Sequence, residues 1–286
     1  MANADFSDAA LVLLAHGSTQ NDESAAPAYR HAAALRQRGL FAQVAEAFWK
    51  QEPQVIGVLK TLGAARVFVV PLFLSEGYFS DEVIPSELGF PAADPPYFPR
   101  LQKRGRQTLF YCGPIGTHSR VTEVVLARAL EVAEKHPFPR APKPKETALF
   151  IAGHGTARNE NSRRAIERQA GLIGAQEIFA EVHAVFLEEE PRINRCCGMA
   201  QVRNLIVVPF FLSDGLHSSA DIPILLGEPE AVVRERLSAG QPAWRNPTER
   251  NGKLVWYSAS VGTDPRITEI ILERVREAEA LPMEVP

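Results

Sequence analysis

The chain has 286 residues, 45% hydrophobic and 23% charged, which excludes a low-complexity or disordered polypeptide and suffices for one large domain or two ordinary ones. A net charge of −3 leaves no global basic field to draw it to nucleic acid, so anionic ligands must be met by local arginines and lysines. Three cysteines, Cys112, Cys196 and Cys197, lie outside any CxxC spacing and exclude both a disulfide framework and an all-cysteine iron–sulfur cluster within the chain.

In chain order, the N-terminal apolar run 10–15 has no basic region before it and ends at once in a polar turn, so it reads as a first strand and not as a signal peptide. A polar-faced helix over 24–38 follows, then a strand over 42–49. Glu52-Pro53 is expected to open the next helix, with the proline in its favoured first turn. The β-branched run 65–70 reads as a strand buried on both faces, and a fourth strand over 108–112 precedes a helix over 120–134. The segment 136–145, HPFPRAPKPK, reads as a linker. The series then begins again, with strands over 149–152, 180–187, 204–208 and 254–258 and helices over 162–172 and 265–279. Strands alternating with helices predict parallel sheets with right-handed crossovers. No stretch approaches the roughly 18 apolar residues of a membrane span. The expectation is a soluble, cytoplasmic protein without membrane or nucleic-acid partners.

The second series is a copy of the first. LVLLAHGS over 11–18 returns as LFIAGHGT over 149–156, and VVPLFLSEG over 69–77 as VVPFFLSDG over 207–215, both 138 positions later. GTHSRVTE over 116–123 returns as GTDPRITE over 262–269, at 146 positions, so the second copy carries eight extra residues between Pro223 and Tyr257. Internal duplication on this scale makes two homologous modules, residues 1–137 and 146–286.

In open parallel sheets, ligands bind beyond the carboxyl ends of the strands. His154 follows the first strand of the second copy, Glu188 ends its second, and His217 lies in the loop after its third. Two imidazoles and a carboxylate suit a borderline divalent ion such as Co2+, Fe2+, Ni2+ or Zn2+. Asp221, four residues after His217, is placed to orient that ring. The first copy holds His16, Lys50, Phe79 and Val83 at the matching positions, and an ammonium and a phenyl ring make it unfit for the same metal. Two readings stay open for His16: a proton carrier, or a ring that hydrogen-bonds only its own turn. Phe79 stands in the place of His217, with Tyr78 beside it in the place of Leu216, and both are candidates for stacking on a flat ligand. Arg158, Arg163 and Arg164, at the start of the helix after His154, are candidates to hold anionic groups. No GxSxG elbow or GxxxxGK loop supports a serine hydrolase or a nucleotide-binding reading.

His-Gly-[Ser/Thr] after strand one, a Glu closing strand two, and PFFLSDGLHSSADIP over 209–223 together resemble the class II chelatases of the CbiX type, the sirohydrochlorin cobaltochelatases and ferrochelatases. The resemblance covers nearly the whole chain. It implies two flavodoxin-like, parallel-sheet α/β modules facing a central cleft. It also implies insertion of a divalent metal substrate, Co2+, Fe2+ or Ni2+, into a sirohydrochlorin-type tetrapyrrole of cobalamin or sirohaem biosynthesis, without a nucleotide. His154, Glu188 and His217 match family metal or catalytic positions, and whether His217 acts as ligand or base stays open. The active site is expected in the second copy, in a monomer or homodimer. A non-catalytic tetrapyrrole or metal carrier on the same fold, and a metal-dependent hydrolase using the same triad, are the alternatives.

Overall fold

Uninterrupted apolar runs form the central strands of two five-stranded sheets. The computed structural model describes residues 5–18, 22–91, 99–138, 140–155 and 160–281. In the first sheet, β1 (Ala9–Ala15) is buried along its whole length between β2 (Gln43–Phe48) and β3 (Arg66–Pro71). Helix α1 (Ala26–Arg38) joins β1 to β2, α2 (Val55–Thr61) joins β2 to β3, and α3 (Ile84–Glu87) follows β3. Beyond β3 lie β4 (Leu101–Arg104) and β5 (Gln107–Tyr111), in the order β2-β1-β3-β5-β4. Helix α4 (Val121–Lys135) closes the first repeat, and the linker after it carries a 3-10 turn at Pro144–Glu146.

The second repeat rebuilds this order. Strand β6 (Thr147–Gly153) is followed by α5 (Glu160–Gly174), β7 (Glu181–Phe186), α6 (Cys196–Met199) and β8 (Asn204–Pro209). Then come α7 (Ile222–Leu225), α8 (Glu230–Ser238), β9 (Thr248–Arg250), β10 (Lys253–Tyr257) and α9 (Ile267–Glu279), with sheet order β7-β6-β8-β10-β9. Helix α8 has no counterpart among the described residues of the first repeat and lies in the stretch where the extra residues fall.

The expected α/β modules with parallel central strands are present. The sheets are not parallel throughout, because β4 and β9 run antiparallel to β5 and β10 at one edge. These edge strands are short and polar, so they lack the apolar run by which a strand is read, and their charged side chains suit an edge that must not pair further. Nor does the Glu-Pro pair lie in the first turn of a helix. Glu52–Pro53 and Glu190–Pro191 are cis, and the proline carbonyls accept the Phe48 and Phe186 amides (2.9 and 3.0 Å), turning the chain before the helix starts.

The compact units also differ from the sequence repeats 1–137 and 146–286. One unit comprises residues 1–121 and 265–286, the other residues 122–264. Helix α4 therefore belongs to the second unit and α9 to the first. In the second unit, Thr122 donates to the Gln169 side chain (2.7 Å) and Arg128 pairs with the fully buried Asp264 (3.1 Å). In the first unit, α9 buries Ile267, Ile270, Ile271, Leu272 and Val275. Ion pairs Arg38–Glu269 and Arg66–Glu279 (both 2.5 Å) fasten its two ends.

On one face of each sheet the cores are matched: Val12, Leu14, Val69 and Ile84 in the first unit, Phe150, Ala152, Val207 and Ile222 in the second. Each large aliphatic or aromatic side chain so buried contributes about 1.5–3 kcal/mol. Among the described residues no helix is long and apolar enough to cross a membrane.

Candidate functional site

The His-Gly sequence after the first strand of each unit has a backbone reason. Gly155 adopts φ +61°, and a Cβ there would stand 2.8 Å from Cβ of Phe186, so only glycine fits both the turn and the close approach. The Gly155 carbonyl thereby meets Nδ1 of His154 at 3.0 Å. One turn of hydrogen bonding then brings the second strand end alongside, because the His154 carbonyl accepts the amides of Leu187 and Glu188 (both 3.1 Å). The Glu188 carboxylate comes within 3.8 Å of Nε2 of His154.

His217 opens a π-helical turn, His217–Asp221, that leads into α7. Such turns are rare and recur at functional sites. It is held from the third side by β10, where the hydroxyl of the half-buried Tyr257 donates to the Ser218 carbonyl (2.5 Å). Burial raises the Tyr257 pKa well above its ordinary value, so the phenol stays a donor. Gly262 supports the loop before the turn: its amide donates to the Phe211 carbonyl (2.9 Å), and a Cβ would fall 2.3 Å from the Leu212 carbonyl oxygen.

The three strand ends thus bring His154, Glu188 and His217 together. The two imidazole rings lie 5.1 Å apart at 89°. Nδ1 of His217 sits 2.7 Å from the Asp221 carboxylate. Because a carbonyl and a carboxylate only accept, Nδ1 carries the proton in each ring and Nε2 is left with its lone pair. Both Nε2 atoms are therefore ready to bind a cation or take up a proton. The side chains are open to solvent, His154 at 39% exposure and Glu188 at 59%. Among the described residues no group of three His, Cys, Asp or Glu side chains stands in closed metal-binding geometry. The triad is assembled side by side, short of the roughly 2.0–2.2 Å contacts of a filled site.

The first unit keeps the scaffold and one imidazole, His16. Phe79 occupies the place of His217, 5.2 Å from the His16 ring at 89°, and opens the matching π-helical turn. Trp49 packs on Phe79 (4.8 Å) and on His16 (5.4 Å), and Tyr78 adjoins Phe79 (5.7 Å). The Lys50 ammonium lies over the Trp49 ring at 5.2 Å. Burial pushes the His16 pKa down, against the hydrogen bond to the Gly17 carbonyl, and the Lys50 charge pushes it down further.

Of the arginines expected to hold anions, Arg158 lies outside the described residues. Arg163 is already engaged: it bonds Glu167 (2.8 Å), Glu189 and the Glu190 carbonyl (both 3.1 Å), over the Phe186 ring. Arg164 pairs with Glu160 (2.5 Å). Sequence reasoning missed Tyr257 and Arg192, whose guanidinium meets the Leu187 and Glu188 carbonyls (3.3 and 3.2 Å). A signal for Tyr257 exists in the repeat: Tyr111 stands 146 positions earlier and donates to the Ser80 carbonyl (2.8 Å) in the same way.

The sequence profile of the CbiX family matches residues 10–132 and 148–278. A probable sirohydrochlorin cobaltochelatase of Halobacterium salinarum is 39% identical over 281 residues, 95% of this chain and 92% of that protein. A sirohydrochlorin cobaltochelatase of Methanopyrus kandleri is 33% identical over 139 residues, 46% of this chain and 96% of its own length, so it is the size of one repeat. Among solved structures, a multi-domain protein of Deinococcus radiodurans described as structurally similar to chelatases superposes with a TM-score of 0.74 at 28% identity. The match covers 94% of this chain and 55% of that one.

Proposed function

The chain belongs to the CbiX family, and from that premise we propose that it inserts a divalent metal ion, Co2+ in preference to Fe2+ or Ni2+, into a sirohydrochlorin-type tetrapyrrole. The cobalt preference rests on the name of the Halobacterium relative. The observation that carries the reading is the meeting of the His154 and His217 rings, with the Glu188 carboxylate beside Nε2 of His154, at the strand ends of the second unit. The phenyl ring of Phe79 at the matching place in the first unit supports a single working site per chain.

The chemistry asks for two things. The ion must exchange water for the nitrogens of the macrocycle, and two pyrrole N–H protons must leave. His154, Glu188 and His217 hold the incoming ion through few, solvent-open contacts, which lets it pass on. As the ion passes to the macrocycle, Nε2 of His217 is freed and takes one of the two protons, with the Asp221 carboxylate at Nδ1 stabilising the imidazolium that forms, and the other proton passes to the Glu188 carboxylate or to solvent.

The test is anaerobic insertion of Co2+ into sirohydrochlorin followed by absorbance, with wild type and His217→Ala side by side. Wild type is expected to exceed the uncatalysed rate, and the variant to lose about 10²–10⁴-fold, the usual range for a general base. If both proceed at the uncatalysed rate, the chelatase reading fails. Macrocycle binding without acceleration would make the protein a carrier.

A further inference from the structure

The two repeats hold the same arginine in two different states. Arg104 at the end of β4 and Arg250 at the end of β9 are 146 positions apart. Each lies against a glycine in the left-handed region, Gly89 or Gly227, at the matching turn. In the second unit Arg250 bonds the Glu228 carboxylate (2.7 Å), Arg236 approaches its other oxygen (3.3 Å), and Glu228 is only 4% exposed. There the arginine is neutralised by the protein's own carboxylate. Phe90 stands at the Glu228 position in the first unit, with its amide on the Pro85 carbonyl as that of Glu228 is on Pro223. Arg104 is left with one acceptor among the described residues, the Gln102 side-chain oxygen (3.0 Å). Burial lowers its pKa, and no carboxylate among the described residues offsets the cost.

The space beside Arg104 is open. A cavity of about 440 Å3 lies between α2 and the starts of β3 and β5, with Leu59, Leu62 and Leu109 as apolar lining and Lys60 as a second cation. Lys60 has no carboxylate partner among the described residues. In the second unit Gly198 stands in the place of Lys60, and the Lys253 ammonium bonds the Ala200 and Val202 carbonyls (2.9 and 2.8 Å) as the Gln107 amide bonds those of Leu62 and Ala64 (2.7 and 3.0 Å) in the first. The cavity sits at the opposite end of the strands from His16, so it is separate from the strand ends discussed above.

We infer that this cavity in the first unit binds a small amphipathic carboxylate, whose anionic head meets Arg104 and Lys60 as Glu228 meets Arg250, and whose apolar body lies on Leu59 and Leu62. The repeat itself shows the chemistry that satisfies this arginine. A half-buried guanidinium beside apolar surface favours a ligand that carries both a charge and a hydrocarbon tail over either alone.

Octanoate is the test ligand, with acetate and 1-octanol as controls that lack the tail or the charge. Titration of the full chain by calorimetry, with saturation-transfer NMR to locate the contact on the ligand, is expected to show saturable octanoate binding at least tenfold tighter than either control. Arg104→Gln is expected to weaken it at least tenfold. Lys60→Gln, a change on an exposed helix position that leaves Arg104 in place, is expected to weaken it severalfold and serves if the first variant does not fold. Absence of saturable binding to wild type, equal binding of 1-octanol, or undiminished binding to the variants overturns the assignment. Because none of these readouts involves metal insertion, its failure is distinct from failure of the chelatase reading.

Discussion

His154 and His16 share one local structure, each with Nδ1 3.0 Å from the carbonyl of the following glycine, yet their surroundings differ. Nε2 of His154 faces a carboxylate and a second imidazole. His16 faces two aromatic rings and has an ammonium nearby, which hold it neutral and offer no second ligand. We therefore expect His154→Ala to lower the insertion rate by at least tenfold more than His16→Ala, measured under identical metal and macrocycle concentrations. The reverse order would place the working site in the first unit. His154, Glu188 and His217 could be read as candidates because each follows or closes a strand, and Glu188, His217 and Asp221 because the first copy holds Lys50, Phe79 and Val83 in their places while keeping only His16. Tyr257 was not, since it reads as one more residue of an apolar strand and its hydroxyl meets a backbone carbonyl, a contact to which only its repeat partner Tyr111 points. Arg163 misled for the complementary reason. Its position after a loop suggests a free cation, and only the fold brings Glu189 to it.

At the level of elements, the π-helical turn is the part that aims His217, and Tyr257 is its anchor. Removing the hydroxyl in Tyr257→Phe leaves the Ser218 carbonyl without that donor and should cost about 0.5–1.5 kcal/mol of stability. The turn then gains freedom, so the insertion rate should fall while macrocycle affinity is kept. A variant with wild-type rate and lowered melting temperature would make the tyrosine purely structural. A second element-scale device lies where α9 meets the first unit. The His118 ring, 7% exposed, accepts the Arg120 amide at Nδ1 (3.2 Å) and turns Nε2 to Glu273 (3.2 Å) and Glu277 (3.4 Å). Burial lowers its pKa and Arg274 pushes the same way, while Glu277 and Glu273 pull it up without prevailing. As pH falls through about 6.5 the unfolded chain takes up a proton that the folded ring refuses, so its stabilising contribution, complete above that pH, is lost towards the lowered folded value. Denaturant unfolding at pH 7, 6 and 5 should show wild type losing stability on acidification more steeply than His118→Gln. Equal slopes would remove His118 from the acid response.

For the molecule as a whole, the duplication was plain in the sequence and the exchange of closing helices was not. Both repeats end in the same amphipathic signature, Val121-Thr122-Glu123 and Ile267-Thr268-Glu269, and either helix presents the pattern that either sheet would accept. Hydrophobic periodicity says that a helix must cover a sheet but not which one, so the repeat alignment alone assigns α4 to the first repeat and α9 to the second. Compactness assigns them the other way. The difference is testable by removing residues 265–286. If the repeats were the folding units, this deletion would strip the second module and leave the first intact. With α9 in the first unit, the loss falls there instead. Ile267, Ile270, Ile271, Leu272 and Val275 are each at most 3% exposed, and burial of each contributes about 1.5–3 kcal/mol. Their sum is comparable to the whole net stability of a domain, about 5–15 kcal/mol. The truncated chain should therefore lose the first unit, exposing Trp49, while residues 122–264 keep Arg128 on Asp264 and bury Trp244 and Trp256. Limited proteolysis should yield a resistant fragment beginning near Thr122. A resistant fragment ending near Lys135, with the second half digested, would restore the repeats as the units that fold.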